Sequence, residues 1–211
     1  MGVFIRGWVS HYASTHWTST VVTPPTVEPL TITDMKARGR IFGNDEDGLI
    51  HAYIKAARNQ VEQDTGIALL TQTRDVFFDG GGLGGSVPFD LPWPPLQSVT
   101  WIKTYSTAGV QSTWDASNYH VDASSMPARI ALTDAGIWPT DLRVFQPWSL
   151  RMVVGWTSPD LIPPALREAV GLLAVHRATI GRDLALEGMT ASVVPYGYAE
   201  MIAPYQRVSV A

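Results

Sequence analysis

The segment from Asn44 to Thr73 constrains the fold most, because its residues follow the pattern of one amphipathic helix that leads into a β-strand. Asn44 is suited to cap this helix, and the acidic residues 45–47 lie where the helix dipole favours negative charge. Gly66 is placed to end the helix in a left-handed conformation. Apolar residues recur between these ends at helical spacing: Leu49, Ile50, Tyr53, Ile54, Ala56, Ala57 and Val61. The pattern predicts a helix with one buried face and with its ionic residues largely on the other faces.

The first 29 residues show no helical periodicity and end in the stiff linker Thr23-Pro24-Pro25-Thr26. They are interpreted as an N-terminal arm, which is either mobile or an added strand that becomes ordered against a neighbour. Farther along, Thr33 is expected to cap a short helix from Asp34 to about Arg40.

After Thr71 the helical spacing is replaced by short alternating segments separated by turn residues. A glycine-rich stretch, Gly80 to Ser86, is expected to form a loop between the first strand and a strand that returns beside it. Short strands at this spacing are typical of an antiparallel sandwich or barrel-like module. The predicted strands are Gln72–Asp79, Val87–Leu91, Val99–Tyr105, Ser112–Asp115, Tyr119–Asp122, Arg129–Thr133 and Leu150–Trp156.

Helical spacing returns after Pro163-Pro164 and continues through Ile180, and a further short helix is expected at Tyr198–Ala203. Neither long helix can bury its apolar stripe alone, so the two are expected to pack together. The sequence therefore predicts an α+β fold, a small helical bundle with an antiparallel β module inserted between its two main helices. The expected boundaries are 1–29 for the arm, 30–71 and 158–203 for the helical domain, 72–157 for the inserted module and 204–211 for a C-terminal tail.

Composition limits the possible functions. Charged residues make up 16% of the chain, and eight Trp accompany seven Tyr. The aromatic residues have two equally open interpretations. Either they form surface that is buried against partner proteins, or they belong to a β-rich core in a protein with a neutral surface. The net charge of −4 and the absence of a dense cationic run argue against sequence-specific nucleic-acid binding. The chain has no cysteine, and no segment predicts a membrane span or a signal peptide, so a cytosolic product is expected.

No motif predicts catalysis, a cofactor or a metal. Gly80, Gly82 and Gly85 fit G-x-G-x-x-G formally, but the residues that follow do not predict the helix that a dinucleotide fingerprint requires. The histidines show no metal-ligand spacing on one helix, although His51 and His176 lie on helices expected to touch. Aspartates at the predicted strand ends are expected in turns. The chain is therefore expected not to be an enzyme.

The order and spacing of several motifs over about residues 22–207 resemble the head–tail connector (adaptor) proteins of tailed bacteriophages and gene transfer agents, in the long form with a β insertion. Each motif alone is weak, but together they are fairly specific. The motifs are Val22-Thr23-Pro24-Pro25, Glu28-Pro29-Leu30-Thr31, residues 45–50, residues 53–58, residues 65–73, Leu91-Pro92, residues 94–99, Tyr119-His120-Val121-Asp122, residues 163–169 and Ala203-Pro204-Tyr205.

The resemblance implies a structural virion protein in the neck, at the head–tail interface, made in the host cytoplasm. Such proteins form a homo-oligomeric ring of about twelve copies beneath the portal protein, with heterologous contacts between copies. The ring extends the channel through which double-stranded DNA passes without sequence-specific binding. It also provides the platform for the next neck or tail protein, a stopper or tail terminator. No cofactor and no membrane is implied.

Within this family the C-terminal segment is expected to dock to the portal, with Tyr196, Tyr198, Tyr205 and Arg207 as candidate residues; the alternative is a tail packed on its own subunit. Contact between subunits is expected on the faces of the main helix that lie outside its buried stripe. The candidate residues there are Lys55, Arg58 and Glu62. The glycine-rich loop either reaches an adjacent ring or is a solvent-exposed tip. Two other functions remain open, namely another neck or tail-completion protein and, less favoured, a small β-rich carbohydrate-binding or hydrolase module.

Overall fold

The computed structural model describes residues 17–79, 88–183 and 197–206, with side chains in the second segment described through residue 179. The chain forms two compact units. Among the described residues, the helical unit comprises residues 25–71 and 156–206, and the β unit comprises residues 17–24 and 72–155. The chain passes from one unit to the other after Pro24, Thr71 and Gly155.

The helical unit contains helices α1 (Ile32–Gly39), α2 (Asp47–Thr65), α3 (Pro164–Asp183) and α4 (Tyr198–Ile202). Helix α1 is capped by Thr31 and not by Thr33 as the sequence predicted. The Thr31 hydroxyl accepts from the Asp34 N–H at 3.0 Å, and the Asp34 carboxylate accepts from the Thr31 N–H at 3.0 Å. This reciprocal capping box places the start of α1 two residues earlier than expected.

Helix α2 begins at Asp47, so the prediction of Asn44 as its N-cap is wrong. Glu46 occupies the cap position without a side-chain cap hydrogen bond. Asn44 instead accepts a hydrogen bond from Lys36 Nζ at 2.7 Å, which ties the α1–α2 connection to α1. The C-terminal prediction is confirmed, because Gly66 ends the helix at φ 69° and its N–H donates to the Glu62 carbonyl at 2.8 Å.

The core of the helical unit lies where α2 and α3 pack together, as predicted. Its centre on α2 is the row of Ile50, Ile54, Ala57 and Val61. Leu49, which the sequence placed in the buried stripe, is largely exposed. The residues that α3 contributes are Leu166, Ala169, Val170, Leu173, Ala174 and Ala178.

The β unit contains a five-stranded antiparallel sheet in the order β1-β2-β8-β4-β5. Its strands are β1 (Trp17–Thr23), β2 (Gln72–Phe78), β4 (Leu96–Tyr105), β5 (Gln111–Thr113) and β8 (Trp148–Val154). Strand β1 pairs with β2 of its own chain. The arm predicted over residues 1–29 is therefore, in its described part, an edge strand of the sheet.

A second sheet in this unit has three strands in the order β3-β7-β6. They are β3 (Phe89–Asp90), β6 (Tyr119–Asp122) and β7 (Arg129–Leu132). The expectation that the segment after the glycine-rich loop returns beside β2 is wrong, because β3 pairs with β7. The pattern identified a strand here but carried no information about its partner. The predicted α+β fold with an antiparallel module between the main helices is confirmed.

Buried aromatic residues give the β unit its core. Phe78, at the end of β2, packs edge-on against Phe89 with 4.8 Å between the ring centroids. Trp114 stacks on Trp138 at 5.0 Å and meets Trp148 edge-on at 5.3 Å. These rings therefore agree with the interpretation in which the aromatic residues belong to a β-rich core.

Candidate assembly surfaces

Helix α2 exposes one face of the helical unit. His51, Lys55, Asn59 and Gln63 follow one another at intervals of four residues and all are exposed. Lys55 is the one charged residue among them. Of the three residues predicted to contact a neighbouring subunit, Lys55 therefore lies on accessible surface.

Arg58 and Glu62 are buried and correct the prediction that ionic residues avoid the buried stripe. Their exposed fractions are 3% and 2%. Arg58 Nε donates to Glu28 Oε2 at 2.7 Å, and its Nη1 lies 3.4 Å from Glu62 Oε2. Glu62 Oε1 accepts from the Leu69 N–H at 2.8 Å. These buried groups join three parts of the helical unit: the segment before α1, helix α2 and the chain that leaves α2. Their contacts therefore stabilise the subunit itself.

The described C-terminal segment packs on its own unit. Tyr198 is 5% exposed, and its hydroxyl donates to Asp64 Oδ2 at 2.6 Å. Burial, followed by the hydrogen bond to Asp64, raises the pKa of Tyr198. Tyr205 is half-buried against the helical core, and the Gln206 side-chain amide donates to the Asp64 carbonyl at 3.3 Å.

These contacts fit the alternative of a tail packed on its own subunit for residues 197–206. Tyr198 is buried, and its ring and its hydroxyl both make contacts within the helical unit. Two other predicted docking residues, Tyr196 and Arg207, lie outside the described residues, as does the glycine-rich stretch 80–86.

Several arginines of each unit are paired with carboxylates. In the helical unit Arg38 forms a two-pronged ion pair with Glu168, which raises the pKa of Arg38 and lowers that of Glu168. In the β unit Arg151 Nε and Nη2 bind the Asp75 carboxylate, each at 2.7 Å. The pKa of Arg151 is raised by that hydrogen bonding.

Two of the aspartates at strand ends, Asp115 and Asp122, serve turns, as predicted. Asp122 accepts hydrogen bonds from the hydroxyls of Ser124 and Ser125, each at 2.6 Å, and these bonds together with one from Arg129 lower its pKa. Asp115 accepts from the Ser117 N–H at 2.8 Å, and its hydrogen bonds to Ser117 likewise lower its pKa. A carboxylate held ionised in a turn is not a general acid.

Residues 17–79, 88–183 and 197–206 contain no group of three or more His, Cys, Asp or Glu placed to hold a metal ion. In the same part of the chain, no helix combines the length and the apolar content needed to cross a membrane.

Comparison with known families shows which proteins this chain resembles. Residues 29–126 match the sequence model described as "Phage gp6-like head-tail connector protein". This region is similar to gp6-like head–tail connector proteins. The predicted resemblance to the head–tail connector family is therefore confirmed over this range, which begins beside Glu28 and includes α1 and α2.

Solved structures with the same fold come from gene transfer agent (GTA) particles. A chain from "Neck of empty GTA particle computed with C6 symmetry" matches with a TM-score of 0.73 at 20% identity. Chains from "Virion of native gene transfer agent (GTA) particle" and "Neck of native GTA particle computed with C12 symmetry" match with TM-scores of 0.69 and 0.64 at 21% and 22% identity. Each match covers 92% of this chain and 97% of the other. No curated protein matches this chain.

Sequence reasoning missed Glu28 as part of the buried network with Arg58 and Glu62. The i, i+4 spacing of Arg58 and Glu62 was a usable signal for an ion pair on one helix face. Nothing in the sequence places Glu28, 30 residues before Arg58, beside that pair. Its position depends on how the linker after Pro25 packs on α2.

Proposed function

We propose that this chain is a structural, non-enzymatic head–tail connector in the neck of a virion. It forms a homo-oligomeric ring of about twelve copies beneath the portal protein, extends the DNA channel and offers a platform to a stopper or tail terminator. The observation that carries this proposal is the match of residues 29–126 to the connector family. The likeness over 92% of the chain to a chain in a neck computed with C12 symmetry supports a ring.

Charge supports the passage of DNA through such a ring. The net charge is −4. Cationic groups that contact phosphates release counterions and bind DNA tightly, which would hinder sliding. The guanidinium groups of Arg38, Arg58, Arg129, Arg151 and Arg167 are each paired with a carboxylate of their own unit. These pairs leave less fixed positive charge to hold the duplex.

The exposed face of α2 is proposed to contact a neighbouring copy through Lys55. This lysine projects from a face that otherwise carries neutral or small side chains, including Ala52 and Asn59. Replacing Lys55→Glu should lower ring formation without lowering the unfolding temperature of the subunit. Asn59→Ser on the same face is the control, and equal assembly of both variants with the wild type would contradict the Lys55 contact.

Portal docking is proposed for the end of the chain, with Arg207 and the half-buried Tyr205 as the candidate residues there. Because Tyr205 and Gln206 contact their own unit, the informative truncation removes only residues 207–211. It should abolish co-purification with the portal while the truncated subunit keeps its unfolding temperature. Unchanged co-purification would contradict docking by this segment.

The role itself is tested in the particle whose genome encodes the chain. Deleting the gene should give heads that carry portal but no tails, and supplying the wild-type gene in trans should restore them. Electron micrographs that show normal tails without this protein would refute the connector function. A localised reconstruction of wild-type particles should place the chain directly beneath the portal.

A further inference from the structure

Strand β1 is held on its sheet with little apolar burial. All seven of its residues, Trp17–Thr23, keep part of their surface exposed, whereas the residues of its neighbour β2 are buried at every second position. Its register with β2 shifts between Val21 and Thr23, and Val21 and Val22 are 47% and 42% exposed. Because few buried side chains support its ladder, β1 should open more easily than β2 or β8.

Trp93, which belongs to neither strand, ties the first half of β1 to the sheet. It lies in the connection between β3 and β4. Its indole N–H donates to Ser19 Oγ at 2.9 Å, across 74 residues of chain. The Trp17 ring packs edge-on against the Trp93 ring, with 6.3 Å between the centroids. These contacts restrain β1 in addition to its ladder with β2.

Arg74 of β2 supports the Trp93 ring. It is 7% exposed, and its guanidinium carbon lies 3.6 Å from the ring centroid. Its Nε donates to Gln72 Oε1 at 3.1 Å, and its Nη1 lies 3.5 Å from Ser19 Oγ. A cation over an indole face is stabilising, and more so where both groups are removed from water. Trp93 is thus fixed against β2 while it also contacts β1. We call Trp93, Arg74 and Ser19 the latch.

The backbone of Trp93 is strained. Its φ is 62°, in the left-handed region where a bulky side chain is rarely found. Such a conformation persists only where surrounding contacts hold it, and it points to a specific role for the residue. At Trp93 those contacts include the hydrogen bond to Ser19 and the stacked guanidinium of Arg74. The strain therefore accompanies the placement of the indole against β1.

We infer that β1 is a strap that opens from β2 while the rest of the sheet stays paired, and that the latch sets how often it opens. The described chain passes into the helical unit directly after Pro24, next to the end of β1. An open strap therefore releases this connection from the β unit and exposes the backbone groups of β2 that pair with β1. The inference concerns the single subunit and does not depend on the proposed ring.

Hydrogen exchange of the wild-type subunit, followed residue by residue by NMR, tests the local opening. The β1 amides that pair with β2 should exchange at least tenfold faster than the amides of β8, and their rates should depend little on low concentrations of urea. The β8 rates should rise steeply with urea, because this strand exchanges through global unfolding. Equal rates and equal urea dependence in the two strands would overturn the inference.

Replacing the central residue tests the latch. Trp93→Gly removes the indole at a φ that glycine adopts without strain, so it should raise β1 exchange at least tenfold while β8 exchange changes far less. Gln146→Gly is the matched control, because Gln146 also has a positive φ, of 46°, in the same unit. It should leave β1 exchange unchanged. No increase in Trp93→Gly, or the same increase in the control, would contradict the latch.

The conservative variants Trp93→Phe and Ser19→Ala isolate the hydrogen bond between these residues and keep the test decisive if Trp93→Gly does not fold. Each should raise β1 exchange about fivefold, and combining them should raise it little further, because both remove the same bond. Trp101→Phe on β4 is the control for the change of ring and should leave β1 exchange unchanged. Effects that multiply in the double variant would show that Trp93 and Ser19 act separately, which would overturn the latch.

Discussion

Arg58 and Glu28 form a buried ion pair, with Nε to Oε2 at 2.7 Å, that ties the segment before α1 to the middle of α2. A charge removed from water gains little net stability from its partner, but losing that partner leaves a buried charge uncompensated. Glu62 lies on the other side of the guanidinium and also accepts from the Leu69 N–H. The network therefore holds the segment before α1 and the chain that leaves α2 against the main helix.

Breaking this pair should destabilise the helical unit strongly. Replacing Glu28→Gln is expected to lower the free energy of unfolding by roughly 3–5 kcal/mol, since Arg58 remains buried without its carboxylate. Glu168→Gln is the matched control, because the Arg38–Glu168 pair is largely solvent-exposed and should contribute no more than about 1 kcal/mol. Urea unfolding followed by circular dichroism measures both, and equal losses would contradict the buried network.

Capping of α1 should depend on Thr31 and not on Thr33. Thr31→Ala removes the hydroxyl that accepts from the Asp34 N–H and should lower the free energy of unfolding by about 1 kcal/mol. Thr33→Ala is the control and should change it by less than about 0.5 kcal/mol, because Thr33 is exposed within the first turn. Chemical denaturation of the two variants compares them, and a larger loss for Thr33→Ala would place the cap where the sequence alone suggested.

Two glycines near the ends of α2 should respond in opposite directions to alanine. Gly66 adopts φ 69°, so Gly66→Ala should destabilise the protein by roughly 1–2 kcal/mol. Gly48 lies within the first turn of the helix, with open space around its Cα, so Gly48→Ala should stabilise the protein by up to about 1 kcal/mol. Thermal unfolding measures both changes, and the same sign for the two variants would contradict the assigned helix ends.

Stability should fall at alkaline pH in a way that depends on Tyr198. The pKa of its phenol is raised in the folded chain by burial and by the hydrogen bond to Asp64. Below the usual tyrosine pKa of about 10, both the folded and the unfolded chain keep the proton, so the contribution is fully present. Above that pH the unfolded chain releases the proton more readily, and unfolding becomes more favourable.

The variant that tests this dependence is Tyr198→Phe. It should lose about 1–2 kcal/mol near neutral pH, because Asp64 loses a hydrogen-bond donor. Its stability should then decline less steeply than that of the wild type between pH 10 and 11 (about 1.4 kcal/mol less per pH unit for one linked proton). Identical pH profiles in urea unfolding would show that Tyr198 does not carry the linkage.

Local patterns in the sequence predicted the elements of this fold well. The strand predicted at Tyr119–Asp122 has those same bounds in the structure, and Gly66 ends α2 as expected. Both features depend on neighbouring residues alone. A strand is indicated by alternating apolar and polar residues, and the helix cap is indicated by a glycine that can adopt a positive φ. The helix start was predicted less well, because Thr31 and Thr33 carry the same chemistry and only the capping geometry distinguishes them.

Pairings between distant segments were not predictable in the same way. The sequence could not show that β1 joins β2, or that β3 pairs with β7, because strand patterns carry no partner information. Arg58 was taken for a surface residue, because an arginine in a helix is usually exposed. Its carboxylate partner Glu28 comes from a linker whose packing only the folded structure reveals.

The most direct test of the connector proposal is native mass spectrometry of the wild-type chain mixed with the portal protein of the same particle. We expect a complex whose mass equals one portal ring plus a ring of about twelve copies of this 23.0 kDa chain. A spectrum in which portal rings and free subunits stay separate, at subunit concentrations well above those of the portal, would contradict it.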